Sequence, residues 1–242
     1  MRIIINGAGG RMGKALAAMV QNSPDITVVG AVDPFVNRPE ILSDLQLCPD
    51  ADCIIDFSNH AGIAPLMDYA VEKGLPVVVC TTGHTPEELA CIRQAAKQIP
   101  VFHSGNMSVG IALLTRLARE TAKMFPDADI EIVESHHNQK LDVPSGTALM
   151  LAKAVQEARP DATLLVGRHE NGKRQKNEVG IHSLRMGNTV GIHEVIVNTG
   201  TQVITLKHEA QDRSLFAEGA LTAAAFIAGK TPGLYDMKDL VK

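Results

Sequence analysis

The chain has 242 residues, 45% hydrophobic and 21% charged, and its 23 basic and 27 acidic side chains leave a formal net charge of −4. This composition excludes a disordered or collagen-like chain. A mildly acidic protein with 3% aromatics and no Trp has no global pull on nucleic acid or anionic membrane and no stacking platform for single strands.

The expected elements follow from hydrophobic periodicity. A buried strand is predicted at 2–6, then a helix at 10–22 with Met12, Leu16, Met19 and Val20 at helical spacing. Strands are predicted at 26–33, 53–57, 77–82 and 101–104, with helices at 64–73 and 86–98 between them. Strand alternating with helix implies parallel strands and right-handed crossovers, a Rossmann-like doubly wound α/β sheet. After Asn106 the pattern changes. A helix fits 109–125 and stops before Pro126, a strand fits 129–134, and a helix runs from Ser145 to about Arg159. Residues 178–210 read as β-rich, punctuated by Gly180, Gly187, Gly191 and Gly200, which implies a mixed or antiparallel sheet in a second, α+β domain. An Ala-rich helix at 214–229 could serve either part. No apolar run reaches the roughly 18 residues of a membrane span. The apolar start is too short for a signal peptide, so a cytoplasmic protein with no membrane partner is expected. Cys48, Cys53, Cys80 and Cys91 form no CxxC pair and read as buried reduced thiols. Arg168, Lys173, Arg174 and Lys176 read as a mobile, solvated loop and not as a nucleic-acid site.

Two segments carry chemistry. The first is Gly7-Ala8-Gly9-Gly10-Arg11-Met12-Gly13, between the first strand and the first helix. Glycine there lets the backbone approach a pyrophosphate that rests on the helix N-terminus, although the spacing is GxxGxxG and an ordinary tight turn would look similar. Asp33, 20 residues past Gly13, stands where an acidic residue binds the adenosine ribose, or is merely a turn residue before Pro34. Its charge disfavours a 2′-phosphate, which Arg11 and Lys14 could offset, so NADH is expected and NADPH stays open. Cys80-Thr81-Thr82-Gly83 and Ser104-Gly105-Asn106-Met107 lie at strand C-termini, with small or amide side chains suited to ribose and nicotinamide.

The second segment contains His136, His137 and Lys140 and ends at Pro144-Ser145-Gly146-Thr147. In extended backbone the two histidines point opposite ways, so at most one of them faces a site directly unless the strand ends there. An acid, a cation and the N–H groups that open a helix suit the reduction of a small acidic substrate, because hydride addition leaves negative charge to be stabilised and quenched. Alternatively, the pair caps a strand end and Lys140 is solvated. No third ligand is spaced for a metal, and the GxSxG elbow of a serine hydrolase is missing.

The run EIVESHHNQKLDVPSGTA at 131–148, with GAGGRMG at 7–13, TTG at 81–83, NMSVG at 106–110 and GLYDM at 233–237, resembles the dihydrodipicolinate reductase family, also called 4-hydroxy-tetrahydrodipicolinate reductase, over essentially the whole chain. The resemblance implies reduction of 4-hydroxy-tetrahydrodipicolinate, or its dehydrated form, to tetrahydrodipicolinate with NADH or NADPH, in bacterial diaminopimelate and lysine synthesis. It implies His136 as proton donor and acceptor, Lys140 as the proton-donating lysine, and substrate contacts at His137, Gly146 and Thr147. Cofactor contacts are implied at Gly7, Ala8, Gly9, Gly10, Arg11, Met12, Asp33, Cys80, Thr81, Thr82, Ser104, Gly105, Asn106 and Met107, with no metal. It implies a homotetramer joined through the C-terminal sheet and a last helix that returns to the nucleotide domain. The expected domains are therefore 1–107 with 213–242, and 108–212. Pro34 stands where many relatives have Arg, Cys80 where many have Gly, and Val143 where Ala is common. Rival readings are a nicotinamide dehydrogenase acting on aspartate or homoserine, and a non-catalytic dinucleotide sensor.

Overall fold

The structure is a computed structural model describing residues 1–21 and 23–242. It divides into two compact units, one of residues 1–108 with 214–240 and 242, the other of residues 109–213 with 241. In chain order, the first unit begins with β1 (Arg2–Asn6), α1 (Arg11–Val20), β2 (Thr27–Val32), β3 (Cys53–Asp56), α2 (Ile63–Lys73), β4 (Val77–Val79), α3 (Pro86–Ala95) and β5 (Pro100–His103). The second unit follows with α4 (Val109–Met124), β6 (Asp129–His136), α5 (Gly146–Ala158), β7 (Thr163–Val166), β8 (Glu178–Arg185), β9 (Gly191–Asn198) and β10 (Val203–Ala210). The chain then returns to the first unit with α6 (Ser214–Ile227), β11 (Gly233–Tyr235) and α7 (Met237–Leu240). No helix among the described residues is long and apolar enough to cross a membrane.

The first unit is a six-stranded parallel sheet in the order β11-β5-β4-β3-β1-β2. Its strands are apolar without alternation because helices cover both faces. Ile4, Ile54, Val77, Val79 and Val101 meet α2 and α3. On the opposite pleat, Phe102 meets Phe226 of α6 edge-on at 6.3 Å, and α6 also packs against α1. Parallel strands place the turn after β1 and the loops after β3, β4 and β5 at one edge of the sheet, the edge where such sheets hold ligands.

The second unit is a five-stranded mixed sheet, β10-β9-β6-β8-β7, in which β6 runs parallel to β8 and antiparallel to β9. Ile130, Ile132, Val179, Ile181, Val195 and Val197 pack beneath α4 and α5 on one face.

Several expectations shift. Strand β4 ends at Val79, not residue 82, opposite the last residues of β3 and β5, Asp56 and His103. Strand β6 continues past Glu134 to His136 because β8 still pairs with it there, His136 beside Arg185. The short elements β7, β11 and α7, of three or four residues, carry too little pattern to be read from sequence. Helix α1 ends at Val20, and the expectation that it reached Asn22 falls on a residue outside those described. All four cysteines are free, but only Cys53 and Cys80 are buried; Cys48 and Cys91 are half-buried. The basic stretch is largely exposed, as expected of a solvated loop, but it also carries ion pairs. Arg168 pairs with Glu178 at 2.8 Å, Arg174 with Glu131 at 2.6 Å and Asp129 at 2.9 Å, and Lys176 with Asp127 at 2.8 Å. Carboxylates on β6 and β8 thus pair with two of the four cations, and Asp127, ahead of β6, pairs with a third.

In α6, a Cβ on Gly219 would fall 1.7 Å from the Met107 carbonyl oxygen, whereas one on Gly172 would meet nothing within 4 Å. Gly219→Ala must push backbone apart and is expected to cost about 2 kcal/mol or more. That is a fall of roughly 4–8 °C in Tm for a chain of this size. Gly172→Ala is expected to stay within about 0.5 kcal/mol of wild type in the same melting experiment.

Candidate functional site

In the first unit the glycine turn is set by close approaches. Gly7 has φ +82°, and a Cβ there would lie 2.6 Å from the Phe57 carbonyl oxygen. A Cβ on Gly13 would lie 2.3 Å from the Gly7 carbonyl oxygen. The Gly7 and Ala8 N–H groups both donate to Val32 O, at 2.8 and 3.0 Å, which anchors the turn to the end of β2. Gly10 is the N-cap of α1 and supplies no side-chain cap, so the opening N–H groups of this helix have no side-chain acceptor there.

Asp33 holds the same turn. One carboxylate oxygen accepts the Gly9 N–H at 3.1 Å and the other accepts the Phe35 N–H at 3.1 Å. A cleft of roughly 770 Å³ opens beside it, lined by Gly7, Gly10, Asp33, Asp44, Ser58 and Asn59 among others. A smaller cleft of roughly 230 Å³ is lined by Met12, Cys80, Gly105, Asn106, Met107 and Phe216. Phe57 lines both, so the two adjoin. These dimensions, a glycine cradle no side chain can enter and an uncapped helix N-terminus fit a dinucleotide.

The remaining residues read from sequence do not line these clefts themselves but lie within two positions in sequence of residues that do. Ala8 and Thr81 are buried, Arg11 and Thr82 are exposed, and Gly9 gives its N–H to Asp33. Ser104 braces its loop by donating to the Asn106 carbonyl oxygen at 2.7 Å. Burial pushes the Cys80 thiol well above its ordinary value and keeps it an unreactive SH group.

The second unit brings together residues from five segments. Glu134 and His136 lie two apart on β6, on the face that carries Ile130 and Ile132 beneath α5. Glu134 is completely buried, yet each oxygen is doubly satisfied. Oε1 accepts the Ser145 N–H at 3.1 Å and Arg185 Nη2 at 2.9 Å, and Oε2 accepts Arg185 Nη1 at 2.8 Å and His136 Nδ1 at 2.5 Å. Burial alone would raise this carboxyl's pKa, but the Arg185 fork, His136 and the Ser145 N–H outweigh it and hold the pKa down to about 2. The ionised Glu134 can only accept, so His136 carries its hydrogen on Nδ1 and turns Nε2 outward from that pair. Gly191 makes room for that nitrogen, since a Cβ there would come within 3.1 Å of it.

Burial pushes the His136 pKa below its ordinary value, helped by the positive charges of Lys140 and Arg185 and opposed by Glu134. His193 stands edge-on to His136 with ring centroids 5.1 Å apart, and its Nε2 lies 3.1 Å from Ser145 Oγ. Burial, then His136, bring the His193 pKa down to about 4, so it is neutral at physiological pH. Ser145 is the N-cap of α5, and its Oγ accepts the Ala148 N–H at 3.2 Å. Gly146 follows with open space where a Cβ would stand. Lys140 Nζ lies 2.7 Å from Asp142 Oδ1, and His137 is half-buried just past the end of β6.

Sequence reading gave no role to Glu134, Arg185 or His193. The same-face spacing of Glu134 and His136 was available as a signal. The other two come from β8 and β9, where register sets Arg185 beside His136 and His193 opposite Glu134, and nothing local announces them.

The model of the family "Dihydrodipicolinate reductase, N-terminus" matches residues 1–107, and "Dihydrodipicolinate reductase, C-terminus" matches residues 110–241. The 4-hydroxy-tetrahydrodipicolinate reductase of Caldanaerobacter subterraneus subsp. tengcongensis is 46% identical, covering 100% of this chain and 98% of the relative. That of Clostridium novyi is 41% identical with the same coverage. Among solved structures, a dipicolinate-bound dihydrodipicolinate reductase from Paenisporosarcina sp. TG-14 shares the fold with a TM-score of 0.84 at 24% identity, covering 99% of each chain.

The depressed Glu134 pKa has a thermodynamic consequence. A carboxyl titrating near 2 in the fold and near 4.5 unfolded stabilises the protein above pH 4.5, and that contribution is lost as pH falls toward 2. The loss is expected to be about 3 kcal/mol. Glu134→Gln cannot titrate, so urea-denaturation stabilities of wild type and variant should converge on acidification across this range. A gap that stays constant with pH would contradict the burial of an ionised Glu134.

Proposed function

This chain belongs to the dihydrodipicolinate reductase family, and we propose that its first unit presents the reductant while its second grips and protonates the substrate. The enzyme is an oxidoreductase that reduces 4-hydroxy-tetrahydrodipicolinate, or its dehydrated form, to tetrahydrodipicolinate, in diaminopimelate and lysine synthesis. For the dehydrated substrate the balance is one hydride and one proton added; for the hydroxylated substrate one water also leaves. NADH or NADPH, when bound, supplies the hydride.

The protein's own residues do the rest. We assign cofactor binding to residues 1–107 with 213–242, through Gly7, Ala8, Gly9, Gly10, Arg11, Met12, Asp33, the Cys80-Thr81-Thr82 loop and the Ser104-Gly105-Asn106-Met107 loop. Substrate binding and assembly fall to 108–212. One substrate carboxylate sits at the N-terminus of α5 on Gly146 and Thr147, where helix N–H groups and the helix dipole favour an anion. Lys140 and His137 complete the grip on the dianion. Lys140 is paired with Asp142 at 2.7 Å.

His136 delivers the proton, and the observation that carries this role is the 2.5 Å contact between its Nδ1 and buried Glu134. At rest the ring is neutral because burial prevails. A bound dianion adds negative charge beside it and raises its proton affinity, and Glu134 stabilises the imidazolium that forms. The Nε2 proton then quenches the electron pair that hydride addition leaves on the ring. A tetramer joined through the second unit's sheet, working in the cytoplasm, completes the reading and rests on family resemblance.

His136→Ala and Lys140→Ala are each expected to lower turnover by at least ~10². The assay makes the substrate in situ from aspartate semialdehyde and pyruvate with the preceding enzyme, and follows NADH and NADPH oxidation separately. Glu134→Gln should move the alkaline limb of the kcat profile to lower pH, because it removes the charge that raises the His136 pKa. Wild-type rates in both alanine variants, or an unmoved limb, would reject the assignment.

A further inference from the structure

The cofactor unit has a buried carboxylate of its own that the reading above leaves without a role. Asp56 ends β3 and is 1% exposed. It lies between β1 and β4, in register with Asn6 on one side and Val79 on the other. Its Oδ1 accepts Asn6 Nδ2 at 2.8 Å, Ser58 Oγ at 2.5 Å and the Ser58 N–H at 3.3 Å, and its Oδ2 accepts Thr81 Oγ1 at 2.7 Å. Those partners belong to the segments that shape the clefts. Asn6 precedes the glycine turn, Ser58 sits in the loop after β3, and Thr81 sits in the loop after β4. Unlike Glu134, Asp56 is satisfied wholly by neutral donors.

A carboxylate has no hydrogen to give, so every partner must donate to it. The hydroxyl hydrogens of Ser58 and Thr81 are therefore both committed to Asp56. Ser58 Oγ also accepts Asn6 Nδ2 at 3.2 Å, which further fixes its rotor. Toward any other neighbour, both hydroxyls can then act only as acceptors. We propose that Asp56 is a positioning residue for the dinucleotide. It ties the end of β1 to the loops after β3 and β4 and sets the Ser58 and Thr81 hydroxyls as acceptors, matched to ligand groups that donate hydrogen, such as ribose hydroxyls or a carboxamide NH₂. The inference rests on the assignment of cofactor binding to this unit.

Asp56→Asn keeps the shape and reverses the polarity. Its NH₂ must find an acceptor among the same neighbours, so one hydroxyl turns round and aims its hydrogen elsewhere. The test is the NADH dissociation constant of the full-length enzyme without substrate, read from nicotinamide fluorescence, with thermal melting to establish that each variant is folded. Asp56→Asn is expected to weaken NADH binding about tenfold, and Thr81→Val to weaken it similarly. If Asp56 acts through the Thr81 hydroxyl, adding Asp56→Asn to Thr81→Val costs less than about twofold more, whereas independent packing defects multiply. Should Asp56→Asn fail to fold, Thr81→Ser is expected to recover most of the affinity lost in Thr81→Val.

An unchanged dissociation constant in Asp56→Asn, multiplicative losses in the double variant, or equal affinities of Thr81→Ser and Thr81→Val would each overturn the proposal. Wild-type protein that binds NADH but does not reduce the ring substrate would refute the reaction assigned above and leave the role of Asp56 standing. Wild-type protein that binds no NADH would refute both.

Discussion

A fully buried carboxylate is the constraint around which the second unit is arranged. Transferring an isolated carboxylate into a protein interior costs several kcal/mol even after relaxation, so Glu134 persists as an anion only because its surroundings are complete. Two bonds come from the rigid fork of Arg185, one from His136 and one from a backbone N–H at the head of α5. Those donors arrive from β8, β6 and the turn before the helix. Satisfying one anion therefore fixes the tautomer of an imidazole, the entry of a helix and the register of two strands. Losing any one donor would leave charge uncompensated in the core, which is why these positions behave as a unit.

The first unit solves a related problem differently. Asp56 is as buried as Glu134 but takes its hydrogen bonds from an amide, a backbone N–H and two hydroxyls. A guanidinium partner stabilises charge strongly and presents no further acceptor. Hydroxyl partners stabilise it less and keep oxygen lone pairs facing outward. The first arrangement suits a site where a proton is to be held and passed on. The second suits a surface that must offer acceptors to a ligand.

What could be read from sequence divides along this line. The glycine turn was legible because its requirement is local: Gly7, Gly9 and Gly13 each sit where a Cβ would collide, and residue type alone records that. The segment from His136 to Thr147 was legible for the same reason, since a strand end and a helix start lie within a dozen residues. Arg185 and His193 were not, because they reach the site through strand pairing some 50 residues away in sequence, and pairing register leaves no mark in a single chain. The basic stretch at 168–176 is largely exposed as expected, but its ion pairs were hidden on the same ground. Strand pairing of β6 and β8 brings Asp129, Glu131 and Glu178 against Arg168 and Arg174.

The resting state of His136 follows from competition among these fields. Burial and two cations press toward the neutral ring, and one carboxylate at contact distance presses back. A site balanced this way is poorly charged until something anionic joins it. Lys140 lowers the proton affinity of His136 even with Asp142 beside it, and under the proposed chemistry a substrate carboxylate bound to Lys140 would offset that influence. By this proposal, the anion held by the lysine and the α5 N-terminus is thus the one that restores the imidazolium. Under the proposed chemistry, the acid is then assembled by the substrate it is to protonate. Glu134 would decide only where on the pH scale this happens, and Gly191 keeps clear the space around Nε2, the atom to which the proposal gives the proton.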